Sequence, residues 1–487
     1  MRRGWSAARA RPANARKTSG RINLNVRFKL ASIAAAALYG SLLLAGHNAL
    51  AADWSLPSNL DESIQSLDPA ARQFITSGAV LDFLPASQLE HELATRDAAG
   101  IEVMVNDLLA IAEEMGYDPQ RDMGAMPLNT GAKSYHRGMV PTPAPLRKLD
   151  RKAGPFSVSR YMFPESGVPT FAGAKVAIWP EDLIAGNVDV AIIGVPNDMG
   201  SGRRNAEHGP RVMRALNTIA TPDVFALIDP MQELTVVDYG DFSVDNMSTE
   251  RTVDHVTAMV AETVATGAVP MLVGGDTSML YPGVKGVAQV HGKGSFGLVH
   301  FSAHPDAQRL SVHTISDDQA LFLLIDEGIV DGSELIQVGL RGPDVNAETL
   351  QWLRDQQVRY HTMAEVARRG YDKVLKRVIK EVDDGPDQLF VSIDVSVIEP
   401  AEMVSAGRIT ANGLRVAQVA SAIRYLCAAK EIVGFEITDM APMLDFSRLS
   451  AVNANTVLNA CLVGMAVRSA GLKPNYIHPL ALDHGQK

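Results

Sequence analysis

From about residue 170 onward, short runs of β-branched and apolar residues alternate with segments that carry helical periodicity. The runs fall at 189–195, 233–239, 269–274, 296–300, 335–340, 389–393 and 432–437. Between two of them lie Val374, Leu375, Val378, Ile379 and Val382, whose spacing marks one face of a helix. Strands that are apolar throughout cannot leave a face in water, and crossover helices supply the cover on both sides. The pattern therefore predicts a three-layer α/β/α fold around a central, mostly parallel sheet. In such sheets, functional groups gather outside the carboxyl ends of the strands.

Ahead of this domain the texture differs. Residues 52–167 show helical patches, such as Met104, Val105, Leu108, Leu109, Ile111 and Ala112, and Pro-rich joints, with no strong strand. They read as a helical, partly irregular N-terminal extension to an α/β domain spanning 168–487. Residues 1–29 hold nine Arg or Lys and no acid. An uncharged apolar run follows to Gly46, and then Ala49-Leu50-Ala51. That layout is the one of a secretory signal peptide over 1–51, cleaved after Ala51. An uncleaved membrane anchor is the alternative, because the apolar run is near the lower limit for a span. Of the 45 bases in the 487-residue chain, 36 remain beyond residue 29, against 55 acids. An acidic chain with no concentrated basic face is a poor match for nucleic acid. Two cysteines, Cys427 and Cys461, exclude a disulfide scaffold or Cys-rich zinc module and read as small buried hydrophobes.

Four strand ends carry polar residues. They are Leu272-Val273-Gly274-Gly275-Asp276-Thr277-Ser278, Val299-His300-Phe301-Ser302-Ala303-His304-Pro305-Asp306, Val391-Ser392-Ile393-Asp394-Val395-Ser396-Val397-Ile398-Glu399-Pro400, and Gly434-Phe435-Glu436-Ile437-Thr438-Asp439-Met440-Ala441-Pro442. Period-two geometry sets Ser302, His304 and Asp306 on one side of their strand, and Asp394 with Ser396 on one side of theirs. One histidine and two carboxylates are a donor set for a single divalent cation. The alternative is a set of hydrogen-bonded polar residues capping a crevice. Gly200-Ser201-Gly202 is no nucleotide loop, since Asn205 holds the third glycine position.

In this order, the four segments resemble those of the ureohydrolases: arginases, agmatinases, guanidinobutyrases and formiminoglutamases. Gly194-Val195-Pro196-Asn197-Asp198-Met199-Gly200 with Arg203, and Val338-Gly339-Leu340-Arg341-Gly342, add to the resemblance, which covers about 168–470. It implies an arginase-like fold and two Mn²⁺ ions, bridged by aspartates, that generate a hydroxide for attack on a guanidinium carbon. The family patterns GGDHS, DAHxD and SxDxDxxDP are only partly kept. Thr277 stands for the histidine, Ser302 for the leading aspartate of the second pattern, Ser396 for an aspartate of the third, and Glu399 for its trailing aspartate. His304, Asp306 and Asp394 remain.

The resemblance further aligns Asp317 with a family histidine, His313 lying four residues earlier, and Asp439 with the glutamate that contacts the guanidinium. Ser and Thr hydroxyls bring no negative charge to offset two dications. The expectation is thus a pseudoenzyme without a working dinuclear centre or resident cofactor, retaining at most one Mn, Ni or Zn ion at His304, Asp306 and Asp394. Asp439, with Asp394, is then a candidate binder of a small guanidino or amine compound. The alternatives are a divergent agmatinase- or guanidinobutyrase-type enzyme that splits a linear guanidino compound into urea and an amine, and metal-free acid–base chemistry by His304, Asp306 and Asp394. The resemblance also implies a homo- or hetero-oligomer with ureohydrolase-type subunits. An apolar stretch at 452–466 that exceeds the needs of one helix face fits either such an interface or burial against the sheet.

Overall fold

The computed structural model describes residues 54–115, 137–143, 151–161, 167–202, 205–216, 222–309 and 315–485. The expected signal peptide, Arg203 and His313 lie outside these residues. The chain divides into two compact units, Met1–Gly116 and Tyr117–Lys487. Among its described residues, the first is helical. Its helices Pro69–Thr76, Ala86–Thr95 and Ala98–Met115 enclose a small core that includes Phe74, Ile75, Leu89, Leu93 and Val105. The Asp68 carboxylate caps the first of them by accepting from the Ala71 amide at 2.9 Å, and Pro69 occupies the opening turn.

The second unit is built on a nine-stranded parallel sheet ordered β1-β3-β2-β4-β9-β8-β5-β6-β7. The strands are β1 Lys175–Val176, β2 Val190–Gly194, β3 Val236–Asp241, β4 Val269–Val273, β5 Gly297–Phe301, β6 Leu335–Leu340, β7 Arg359–Thr362, β8 Gln388–Asp394 and β9 Glu431–Thr438. The two-residue period shows in β2, where Val190 and Ile192 enter one core while Ala191 and Ile193 enter the other. Helices Tyr371–Asp383, Val416–Ala429 and Leu449–Ser469 cover the first face. Helices Thr249–Ala265, Leu280–His291 and Ala347–Asp355 cover the second. This is the three-layer arrangement that the alternating pattern predicts. Val374, Val378 and Val382 are the buried stripe of their helix.

The apolar girth of 452–466 has a local cause. Helix Leu449–Ser469 is the one described helix long and apolar enough to cross a membrane, and two thirds of its apolar window (67%) is buried inside the protein. It packs on Val416–Ala429, and Gly464 permits the approach, since a Cβ there would lie 2.8 Å from Cys427 Cβ. The cysteines correct the sequence reading. They are buried, but they are bonded to each other, with Cα atoms 5.2 Å apart. Each has an apolar helical neighbourhood, and only the packing of the two helices reveals that those faces meet.

Candidate functional site

Strands β4, β9, β8, β5 and β6 are consecutive neighbours in the sheet, so their carboxyl-end loops converge on one crevice. Glycines shape the first of these loops. Gly274 and Gly275 have φ of +88° and +70°, a region that costs a side-chain-bearing residue energy. Their backbones lock to β9: the Gly274 amide donates to Ile437 O and the Asp439 amide to Gly275 O, each at 2.8 Å. Asp276 accepts from the Ser201 amide at 2.7 Å and from the Ser278 amide at 3.1 Å, tying two loops together.

The structure brings His304, Asp306, Asp394, Asp317 and Asp439 to this crevice, by a different route from simple strand alternation. β5 ends at Phe301, and Asp306 is reached through a turn in which it takes φ of +48°. Ser396 sits in a 3₁₀ turn beyond β8, where its amide donates to Asp394 Oδ1 at 2.7 Å. Asp439 also has positive φ, +67°. Left-handed backbone at two carboxylates is a conformation that the surrounding structure must impose.

At the centre is a residue that sequence reasoning missed. Arg408 is 5% exposed, and its Nη2 donates to Asp306 Oδ1 and to Asp394 Oδ2, each at 2.9 Å. Its Nε lies 3.3 Å from Asp317 Oδ2, and its own amide donates to Asp439 Oδ2 at 2.9 Å. Burial opposes the arginine's charge, yet Asp306, Asp394, Asp317 and Asp439 together push its pKa well above the ordinary value. The effect on the carboxyls is uneven. Burial would raise Asp306, but Arg408, His300 and His304 outweigh it and hold the group at about 2. Burial lifts Asp317 to about 7 despite Arg408, with Asp276, Asp306 and Asp318 adding to the rise. Burial and the charge of Asp394 push Asp439 far upward. One signal was available: Arg408 is the only charged residue between Met403 and Leu414, a stretch of small and apolar residues.

The residues present do not fit the dinuclear manganese centre that the resemblance implies. Thr277 Oγ1 donates to Asp394 Oδ2 at 3.1 Å, and Ser302 Oγ reaches both Asp306 Oδ2 and Asp394 Oδ2 at 3.2 Å. These hydroxyls spend the lone pairs that a cation would need, and Arg408 takes more of them. Ser396 Oγ accepts from the Ala303 amide, while Glu399 accepts from the Gly413 amide at 2.6 Å and serves loop closure. His304 faces the Arg408 carbonyl with Nε2 and Asp344 with Nδ1, each at 3.3 Å. Among the described residues, no group of three or more His, Cys, Asp and Glu side chains has a metal-holding arrangement.

Behind the carboxylates runs a second set of polar residues, which lie inside the strand-end segments but to which the sequence assigned no role. His300 Nε2 is 2.9 Å from Asp306 Oδ2, and its Nδ1 is 2.8 Å from Ser392 Oγ, which in turn lies 2.6 Å from Glu436 Oε1. All are buried within β5, β8 and β9. Burial, with Asp394 and Asp306 adding to it against the Ser392 hydrogen bond, raises Glu436 to about 8.

Comparison with known proteins gives a consistent result. Residues 188–464 match the sequence profile of the Arginase family. The mitochondrial agmatinase of Gallus gallus is 30% identical over 276 residues, covering 56% of this chain and 80% of that protein. The guanidinobutyrase of Pseudomonas aeruginosa is 27% identical over 294 residues, 59% of this chain and 90% of the relative. Among solved structures, proclavaminate amidino hydrolase from Streptomyces clavuligerus superposes with a TM-score of 0.57 at 23% identity, over 62% of this chain and 98% of the other.

Proposed function

The chain belongs to the arginase family, and from that premise we propose that it is an exported, non-catalytic member whose crevice is held together by an internal arginine in place of metal ions. Its role is then that of a structural or regulatory subunit alongside ureohydrolase-type chains. The observation that carries this reading is Arg408 Nη2 at 2.9 Å from both Asp306 and Asp394, two of the three ligand positions that keep their residue type. A guanidinium there neutralises the carboxylates without supplying an open coordination position, so no hydroxide nucleophile is generated. Purified protein incubated with Mn²⁺, Ni²⁺ or Zn²⁺ is expected to release no urea from agmatine, arginine or guanidinobutyrate. Urea release at enzymatic rates, with stoichiometric metal, would overturn the reading.

A second reading has support of a different kind. The relatives' names, agmatinase and guanidinobutyrase, favour a divergent amidinohydrolase acting on a linear guanidino compound. The same assay decides between the two. Export is supported by the basic and apolar leader and by the Cys427–Cys461 disulfide, a bond that persists in oxidising compartments. Mass spectrometry of the protein from its host should find an N-terminus near Ala52 and no free thiol. An intact Met1 with two alkylatable cysteines would defeat the proposal.

A further inference from the structure

We propose that the carboxylates at the family's metal positions, Asp306 and Asp394, together with Asp317 and Asp439, form a guanidinium-binding site that Arg408 fills in cis. The inference deepens the non-catalytic reading and rests on it. Two ligand-type carboxylates, 0% exposed, point at one planar cation, and each receives a separate charge-assisted hydrogen bond from the same nitrogen. Buried carboxylates without a counter-charge are costly, and no other arginine or lysine of the described chain forms an ion pair with these four groups.

The loop that brings Arg408 is built for delivery. Gly407 lets it approach, because a Cβ there would overlap Asp439 Oδ1. The Gly407 amide donates to Asp439 O and the Arg408 amide to Asp439 Oδ2, each at 2.9 Å. A second arginine fastens the far side of the loop: Arg341 donates through Nη2 to Thr410 O at 2.7 Å and to Ser396 O at 2.6 Å, and through Nε to Ala411 O at 2.8 Å. Asp439 Oδ1 is buried and has no hydrogen-bond partner, so the site keeps a polar oxygen that Arg408, tethered to its backbone, does not reach. A guanidinium free of the chain has donors on every side and is not so restricted.

Chemical rescue tests this on the full-length protein. Arg408→Ala is expected to lower Tm by about 5 °C, as removal of one partner from a buried ion cluster does. Guanidinium chloride at about 20 mM, far below denaturing levels, should restore at least half of that loss by occupying the vacated site. It should not raise the wild-type Tm. Urea, its neutral isostere, and NaCl at equal ionic strength should restore nothing. Equal effects of guanidinium and NaCl, or recovery with Mn²⁺ in place of guanidinium, would overturn the proposal.

If Arg408→Ala does not fold, the wild-type protein still answers through arginine modification by phenylglyoxal, mapped by mass spectrometry. Arg408 should stay unmodified while the exposed Arg369 reacts, and Asp394→Asn should speed its reaction. Modification of wild-type Arg408 as fast as Arg369 would also overturn the proposal. The readouts are stability and protection, so urea release by the wild type would defeat the non-catalytic reading without obscuring either result.

Discussion

Arg341 and Arg408 stand on the same crevice, yet their surroundings differ in kind. Arg341 donates to main-chain carbonyls of Gly339, Ser396, Thr410 and Ala411. Carbonyl dipoles orient a cation without neutralising it. Burial therefore dominates and lowers the Arg341 pKa to about 10, although Asp394 and Glu399 pull the other way. Arg408 meets full charges, and its pKa moves up despite deeper burial. One arginine is a clamp that fixes loop geometry, and the other is a counter-ion for the acidic cluster. The difference separates a position where shape matters from one where charge matters, although one guanidinium is half-buried and the other buried on the same crevice.

Neutral substitution should break this comparison most sharply at Arg408. Arg408→Met is expected to cost about 3–5 kcal/mol, because it strands carboxylates in a dry site. Adding Asp306→Asn and Asp394→Asn should recover much of that loss, since the stranded charges are then gone. Denaturant titration of the single and triple variants reads both effects, and a triple variant weaker than the single one would contradict the counter-ion role. Arg341→Met should cost less, about 1–3 kcal/mol, the range for hydrogen bonds left unmade at carbonyls that water can partly reach. Equal losses at the two positions would erase the distinction. Gly407→Ala should fall at a comparable or smaller level, about 1–3 kcal/mol, by forcing the loop away from Asp439. Thermal melts with accelerated phenylglyoxal modification of Arg408 would confirm that the loss comes from undocking the loop.

The sheet was legible because parallel strands buried on both faces are rich in apolar residues along their length. Seven of the nine strands stand out in that way, even where polar residues such as Asp238, His300, Ser392 and Glu436 interrupt them. β1 does not, being two residues long, and neither does β7, where Arg359, Tyr360, His361 and Thr362 form a polar edge strand with one neighbour to satisfy. The crevice was legible wherever a polar residue closes or shortly follows a strand: Asp394 ends β8, Asp439 follows β9 and Asp306 comes a short turn after β5. Arg408 comes 14 residues after Asp394, on a loop whose path depends on Arg341, Glu399 and Gly407. No periodicity transmits that path along the chain. The same holds for the cysteines: helical spacing places each on an apolar face, but the meeting of two faces is a tertiary fact. Three hydroxyls at ligand positions suggested acids in search of a cation, and the cation proved to be covalently attached.

The effect that is smallest at pH 5, and grows as pH rises, lies one layer further in, at Glu436, and its dependence on pH sharpens the contrast with Asp306. The folded pKa of Glu436 is raised from 4.5 to about 8. Below pH 4.5 both folded and unfolded chains hold the proton, and the neutral carboxyl is content in its buried site. Between pH 4.5 and 8 the unfolded chain releases the proton while the folded chain keeps it, so this group's contribution to stability falls as pH rises. Asp306, held at about 2, has the opposite sign: its contribution is present above the ordinary aspartate pKa of 3.8 and is lost as pH falls through 2. Glu436→Gln replaces the neutral acid with an amide of similar shape, still able to bond to Ser392. At pH 5 it should change stability by less than about 1 kcal/mol. Between pH 5 and 8 the variant should gain on the wild type by up to about 1.4 kcal/mol per pH unit, the slope for one retained proton. Because Asp317 and Asp439 titrate in both proteins, the difference between the two stability curves isolates Glu436. Parallel curves from pH 5 to 8 would mean that Glu436 is ionised in the fold, and that the acidic cluster carries more charge than Arg408 alone can balance.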